Sequence, residues 1–436
     1  MGHNVFLWKQ KNIANLMPEA LIVSTYDSDG VGRLADSLML SLTDLGYSSN
    51  VLCLQSSNDH KDSSVGIFDN DSGGLLLYKI LNKLRSYFYS SEAIYAFNEI
   101  GSVTQTVLAH NPVMDLEYDL LVIMYTSGMF RASDLKALSY NNISTPVMIY
   151  GVDMNLFTGG CHYANNCRGY MSNCTACPAV KPRARKLVEK NHKEKQKYFS
   201  SLLNSVVVSS SNEHHQQITA SSIFAKSRVE KILFYVDEKI FGSKEQVRDD
   251  LRIRYSLQGR SILVRSSSEK RKGCDIFVEA IKRLVDNYSE SMVSINILSI
   301  GDDYVYKSLF GVHAVKNYGY TGSIKELSDL YTISDVFVNP SLADGGPMML
   351  AEALMSFTPV ITTNVGLATD LVIENVNGIV IKDKSALDLQ QALLEFLKMD
   401  DTTIGLYRCR ARTNALRLFS KERYQVNLSR VIRSLK

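Results

Sequence analysis

The sequence predicts an α/β protein built from two Rossmann-like βα domains in tandem, and three observations carry that expectation. The chain has 436 residues, more than one hydrophobic core usually supports, because single cores stop growing at roughly 250–300 residues. Short apolar, β-rich runs alternate with stretches of helical periodicity, which is the pattern of a parallel sheet covered by helices. That alternation restarts after residue 230, as if a second protein began there. With 45% hydrophobic and 21% charged residues, the chain has the balance of a globular protein and is far from disordered or collagenous compositions.

In the first half, Leu21 to Tyr26 reads as a strand, and Ser28, Asp29, Gly30 and Gly32 interrupt it before a helix begins. Val31, Leu34, Ala35, Leu38, Leu42 and Leu45 fall at helical spacing, Gly46 ends that pattern, and Val51 to Leu54 resumes a strand. Leu120 to Met124 and Val147 to Tyr150 are further buried strands. The second half repeats the scheme, with strands at Ile262 to Val264, Ile295 to Ile300, Val336 to Val338, Pro359 to Thr362 and Ile379 to Ile381. Helices are expected near Ile276 to Leu284, around Leu327, Leu330 and Tyr331, and near Met348 to Met355. The expected division is 1–230 for the first domain, with a cysteine-bearing insertion at 157–180, then 231–418 for the second. The helical tail 419–436 either closes the second domain or crosses back onto the first.

A formal charge of +3 is too mild for nucleic acid, which demands a concentrated basic face. No apolar run reaches the roughly 18 residues of a membrane span, and Met1 to Gln10 lacks the apolar stretch of a signal peptide. A cytoplasmic protein is expected. Lys181 to Lys197 holds eight Lys or Arg against two Glu, and it reads either as a charge-rich solvated helix or as a peripheral membrane-docking face.

Ligands of open α/β sheets bind beyond the carboxyl ends of the strands. After Val264 runs Arg265-Ser-Ser-Ser-Glu-Lys-Arg271-Lys272-Gly273, whose cations suit a diphosphate leaving group without a metal. After Val338 comes Asn339-Pro340-Ser341-Leu342-Ala343-Asp344-Gly345-Gly346-Pro347-Met348-Met349-Leu350-Ala351-Glu352. The glycines permit close backbone approach, and the first turn of the following helix offers unpaired N–H donors. Two carboxylates are apt acceptors for sugar and ribose hydroxyls. Alone, Asp344 reads equally as a helix cap.

Taken in order, SDVFVNPS, the acidic-glycine loop, EAL, TPVITTNVG and Glu374-Asn-Val-Asn377-Gly378 closely resemble the family-4 retaining glycosyltransferases. The likeness extends more loosely to Asp29-Gly-Val-Gly32-Arg33 and Tyr235-Val-Asp237. It implies the GT-B fold, two Rossmann-like βα domains facing each other across a cleft. It further implies a nucleoside-diphosphate sugar donor, a glycan or lipid-linked acceptor, and no cofactor for catalysis. By that resemblance Glu352 holds the nucleotide ribose and Asp344 contacts the transferred sugar. Gly345, Gly346, Pro347, Met348 and Met349 line the donor, Arg265 and Lys272 bind the diphosphate, and Gly30 and Gly32 approach the phosphates from the first domain.

Bacterial relatives that build surface polysaccharides often carry histidine just beyond two strands of the first domain. This chain has Met124 and Val152 there, and neither can orient a hydroxyl or support developing charge. Asp153 survives beside one of them as the candidate acceptor contact. The block Phe157-Thr-Gly-Gly-Cys161-His162-Tyr163 also resembles a subset of these enzymes, which points to O-antigen, capsule or exopolysaccharide synthesis. It opens the spacing C-x(5)-C-x(6)-C-x(2)-C through Cys161, Cys167, Cys174 and Cys177. A structural zinc fits that pattern, and it competes with plain packed thiols and with disulfides, which a reducing cytoplasm disfavours. Two other functions stay open: a donor-binding partner whose acceptor site has decayed, and a nucleotide-sugar epimerase or hydrolase, which the missing histidines disfavour. His110, His214 and His215 read as turn or loop residues.

Overall fold

The computed structural model describes residues 17–27, 29–56, 64–68, 73–91, 93–98, 117–140, 144–242, 244–288, 294–311, 314–346 and 348–435. Pro347 and His110, both singled out in the sequence, lie outside them, as does the side chain of Asp29. The chain forms two compact units. The first takes the described residues within Met1–Ser209, His214–Ile232 and Asn427–Lys436, and the second takes Ser210–Glu213 and Leu233–Val426.

The first unit holds a seven-stranded parallel sheet of β1 (Glu19–Ser24), β2 (Ser48–Gln55), β3 (Ser64–Phe68), β4 (Leu120–Tyr125), β5 (Val147–Tyr150), β6 (Ser205–Ser209) and β7 (Val229–Lys231). Its order is β3-β2-β1-β4-β5-β6-β7. The central strands are apolar on both faces because helices cover both, so Ile22, Val23, Val122 and Ile123 are fully buried. The tail joins this unit through Arg228, which donates to Ser434 Oγ at 2.7 Å, and through an Arg430–Glu230 ion pair of 3.0 Å.

The second unit holds a six-stranded parallel sheet of β8 (Arg260–Ser266), β9 (Ile295–Gly301), β10 (Ala314–Asn317), β11 (Val336–Asn339), β12 (Val360–Thr363) and β13 (Gly378–Ile381). Its order, β10-β9-β8-β11-β12-β13, repeats that of the first six strands of the other unit. Ser323, Ser385 and Asp400 each accept a backbone N–H three residues on and so start the helices Ile324–Ile333, Ala386–Leu397 and Asp401–Phe419. In both sheets the connections run to opposite sides of one central pair, β1 with β4 and β8 with β11. A crevice opens at the carboxyl ends of such a pair.

Two helices have surfaces that bear on function. The helix Arg185–Phe199, within the basic stretch, buries Asn191, His192 and Lys195. Lys195 Nζ donates to the carbonyl oxygens of Asn155 at 2.6 Å and Thr158 at 3.3 Å, so this cation anchors a loop. The helix Gly73–Tyr89, by contrast, leaves Leu76, Leu77, Leu84 and Tyr87 half or more exposed. Among the described residues no helix is long and apolar enough to cross a membrane.

Candidate functional site

At the β8/β11 switch point the loops after the two strands meet. Lys272 Nζ lies 2.5 Å from Asp344 Oδ2, and Arg271 lies 3.9 Å from the same oxygen. The other oxygen, Oδ1, accepts from Gly346 N at 3.4 Å. Burial alone would raise the Asp344 carboxyl, but the charge and hydrogen bond of Lys272, with Arg271 and Arg265 behind it, hold it below the ordinary aspartate range. Burial lowers the Lys272 ammonium, and Arg271 and Arg265 push the same way against the pull of Asp344. Arg265 itself is exposed at the end of β8. Arg271 pairs more closely with Glu269, at 2.8 Å, so the corner gathers three cations and two carboxylates, and the remaining cation excess favours an incoming diphosphate.

Glycines set the shape of this corner. Gly273 has φ of +65°, and a Cβ there would fall 2.0 Å from the Pro340 carbonyl oxygen. Gly366, at φ of +54°, would bring a Cβ to 2.7 Å from the Asp344 carbonyl oxygen. A side chain at Gly273 would force apart the two loops that present Lys272 and Asp344, and one at Gly366 would push the loop after β12 off the Asp344 loop. Asp302, after β9, buttresses the cationic loop by accepting from Ser268 N at 2.6 Å and from Ser266 Oγ at 3.0 Å.

Glu352 sits in the helix Met348–Met355 and is buried. Tyr331 donates its hydroxyl to Glu352 Oε2 at 3.0 Å, which fixes the carboxylate from the neighbouring helix. Met348 and Met349 lie in the first turn of this helix, with side chains packed partly against the core. Gly345 and Gly346 are partly exposed in the loop before it.

The first unit's switch point is built differently. The end of β1 is stitched to β4: Thr25 Oγ1 donates to the carbonyl oxygens of Tyr125 at 3.1 Å and Ser127 at 3.0 Å. Gly30 is exposed with open space around it, whereas Gly32 is pressed on the Asp27 backbone, where a Cβ would meet the carbonyl carbon at 2.4 Å. Met124 is fully buried. A histidine nevertheless reaches this corner from another segment. His162 Nδ1 lies 2.6 Å from Asp153 Oδ2, and its Nε2 lies 3.0 Å from Ser127 Oγ. Since a carboxylate only accepts, Nδ1 carries the proton and donates it.

Asn155 N donates to the other Asp153 oxygen at 2.8 Å, so both oxygens are engaged within the unit. Burial would raise the Asp153 carboxyl, but His162 and the Asn155 amide hold it below its ordinary range. His162 stacks on Tyr125 with ring centroids 5.3 Å apart. His214, expected in a solvated loop, is instead buried in the helix Asn212–Ala220, with Nε2 3.1 Å from the Asp153 carbonyl oxygen. Burial pushes its imidazole down to about 4.

Beside this corner Cys161, Cys167, Cys174 and Cys177 are all free thiols. Among the described residues no three histidine, cysteine or carboxylate side chains stand at metal-binding spacing. Burial pushes the Cys161 thiol up to about 12 and that of Cys174 up to about 11.

Comparison with known proteins finds a family match within the second unit. The family described as Glycosyl transferases group 1 matches residues 259–399. An uncharacterized glycosyltransferase of Methanocaldococcus jannaschii, MJ1178, is 26% identical over 136 residues, which is 30% of this chain and 36% of that protein. The alignment therefore spans about a third of the relative. Among solved structures, a glycosyltransferase from Rickettsia africae superposes with a TM-score of 0.65 at 15% identity, covering 97% of this chain and 100% of that one. Anabaena Alr3699/HepE in complex with UDP-glucose gives 0.63 at 14% identity, covering 96% and 100%. The chain has the GT-B fold, and its residues 259–399 match the family described as Glycosyl transferases group 1.

Proposed function

We propose that the protein is a retaining glycosyltransferase that moves a sugar from a nucleoside-diphosphate donor to a glycan or lipid-linked acceptor in polysaccharide synthesis. The observation that carries this reading is the meeting of Lys272, Arg271 and Asp344 at the β8/β11 switch point, inside the segment that matches the glycosyltransferase family. On binding, the diphosphate competes with Asp344 for Lys272 and frees the carboxylate to accept a hydroxyl of the sugar. Arg265 and Lys272 then neutralise the charge that grows on the departing phosphate. That phosphate takes the acceptor's proton on the same face, so no enzyme nucleophile and no cofactor enter the chemistry. Glu352, steadied by Tyr331, holds the ribose. The HepE structure with UDP-glucose supports a uridine diphosphate sugar as the first donor to try.

The acceptor belongs to the first unit. His162, held by Asp153, supports an active enzyme over a decayed donor-binding partner, because it supplies the imidazole that Met124 and Val152 do not. Peripheral contact with a cytoplasmic membrane face is supported less by Lys181–Lys197 than by the helix Gly73–Tyr89. That helix exposes Leu76, Leu77, Leu84 and Tyr87 between Lys79, Lys83 and Arg85, a mixture suited to anionic lipid. Flotation with anionic vesicles should fall sharply for Leu77→Ser with Leu84→Ser, and undiminished binding would remove the membrane from the proposal.

The donor test is thermal unfolding of the pure protein with a panel of nucleotide sugars. A bound donor at about a hundred times its Kd contributes roughly 2.7 kcal/mol, a readily seen shift. No shift with any donor would sink the transferase reading. If one binds, Glu352→Gln should weaken it about tenfold or more, and an unchanged affinity would refute the ribose assignment.

A further inference from the structure

Four cysteines of the first unit line one small enclosed space. Cys161, Cys167, Cys174 and Cys177 surround a cavity of about 10 Å³, on the order of a single water-sized sphere. Apart from two tyrosines, the rest of its wall is glycine, alanine, proline and valine. Such a wall offers a water few of the two to four polar partners it needs. What the cavity does offer is four cysteines among its lining residues.

Backbone amides reach three of these sulfurs. Gly169 N donates to Cys167 Sγ at 3.4 Å. Amides of Gly159 and Ala179 donate to Cys174 and Cys177 respectively, and Val180 gives Cys177 a second donor. Amide donors of this kind orient ligating sulfurs and spread their charge. Cys174 sits in the left-handed region at φ of +55°, a conformation that costs a non-glycine residue energy and that the surrounding loop must hold in place. Lys195 and Arg185 act on Cys174 and Cys177 as nearby positive charges, a counterweight to a site of net negative charge.

The surrounding segment also lacks other means of support. Between β5 and the helix Arg185–Phe199 the chain makes only three-residue helical turns. The apolar cluster beneath it is small, and three of its buried members are Cys161, Cys174 and Cys177 themselves. Small, loop-rich elements with minimal cores are those that metals stabilise. Two disulfides fit the arrangement less well, since each would draw two sulfurs together and leave no reason for all four to ring one void.

We propose that Cys161, Cys167, Cys174 and Cys177 bind one structural zinc ion as a tetrathiolate. The thiols turn inward about χ1, four protons pass to solvent, and the ion fills the cavity in the tetrahedral geometry that four soft thiolates favour. All four positions are taken by protein, so the ion does no catalysis. Its role is to clamp the loop that begins at Cys161. The neighbouring residue, His162, is the one placed against Asp153, so the metal rigidifies the acceptor corner from behind.

The test uses the full chain purified from zinc-supplemented cells, with metal content measured by plasma mass spectrometry alongside intact mass under native and denaturing conditions. One zinc per chain is expected, released by a thiol-modifying reagent in step with loss of the four thiols. Replacing zinc by cobalt should give the intense thiolate charge-transfer and visible absorption of a tetrahedral sulfur site, a readout that needs no variant to fold. Cys161→Ser and Cys177→Ser should each reduce occupancy, and chelator-stripped protein should unfold at lower temperature and recover on adding zinc. Absence of metal with four freely reactive thiols would overturn the proposal. So would an intact mass short by the four hydrogens of two disulfides.

Discussion

The two switch points occupy the same place in the same sheet order, yet they are furnished in opposite ways. In the second unit the corner is an excess of cations around Asp344, while in the first it is a histidine held between Asp153 and Ser127. The difference teaches what each corner is prepared for. Cations crowded at the end of a strand store repulsion that an anionic diphosphate relieves. A carboxylate–imidazole pair is already satisfied and instead fixes the direction of a ring, as suits a neutral hydroxyl acceptor. One fold thereby carries a cation-rich corner and a carboxylate–imidazole corner through loop composition alone.

The widest separation between the two should come from breaking each buried pair. Lys272→Met leaves Asp344 buried without its nearest cation and removes a donor to the diphosphate. Turnover should drop about 10²–10³-fold, and the donor-induced thermal shift should shrink with it. If Lys272→Met kept full donor affinity, the cationic corner would not be the phosphate site. His162→Ala strands Asp153 in the same manner and should cost about 3 kcal/mol of stability, with turnover lowered roughly a hundredfold. Its donor-induced shift should survive at a temperature where the protein is folded. Loss of donor binding in that variant would erase the distinction between the corners.

The same contrast explains how much could be read beforehand. Asp344 and Glu352 belong to one loop and the helix that follows it, and Lys272 lies on the single loop after β8, so local spacing and the order of motifs pointed to the corner where Lys272 and Asp344 meet. The role of His162 was not legible, because its partner Ser127 is 35 positions away and the two meet only once β4 and the cysteine-bearing loop are folded. Tyr331 was marked only as a helical core residue, since nothing local says that its hydroxyl reaches Glu352. The strands β3, β7 and β10 escaped notice for a different reason. They are short or only partly buried, and β7 and β10 have no fully buried position, so they lack the unbroken apolar run of a central strand. His214 shows the limit of composition. Its polar neighbours suggested solvent, but the helix Asn212–Ala220 turns it inward to Phe157, with ring centroids 5.3 Å apart.

Acid should loosen the two corners in different pH windows. His214 titrates at about 4 in the folded chain, against 6.5 for an unperturbed histidine, so between those values the unfolded chain binds a proton that the native one excludes. Stability therefore rises with pH across that window, and acidification from 6.5 towards 4 removes up to about 3 kcal/mol from the first unit. Asp344 and Asp153 have the opposite chemistry: their folded values lie below the ordinary 3.8. Their contribution is complete above that value and is lost only as pH falls through the depressed folded values. Hydrogen exchange read by mass spectrometry along the chain should show the first unit losing protection before the second as pH drops from 7 to 4.5. His214→Phe should abolish that lead, and two units that loosen together in the unaltered protein would contradict it.

The smallest effect asked of the comparison concerns Tyr331. Tyr331→Phe keeps the packing of the ring, which lies at 5.8 Å edge-on to Phe337, and deletes only the hydroxyl that donates to Glu352. A hydrogen bond to a charged group contributes about 1.5–3 kcal/mol when its partner is otherwise left short. Here the helix Met348–Met355 holds Glu352 in place, so the lower end is expected, roughly a tenfold loss of donor affinity with turnover at saturation nearly unchanged. That signature, weaker binding without slower chemistry, belongs to a residue that orients the nucleotide and stands away from the bond being broken. Were turnover to fall and affinity to hold, Glu352 would have to act at the sugar, and the division of labour between Glu352 and Asp344 would reverse.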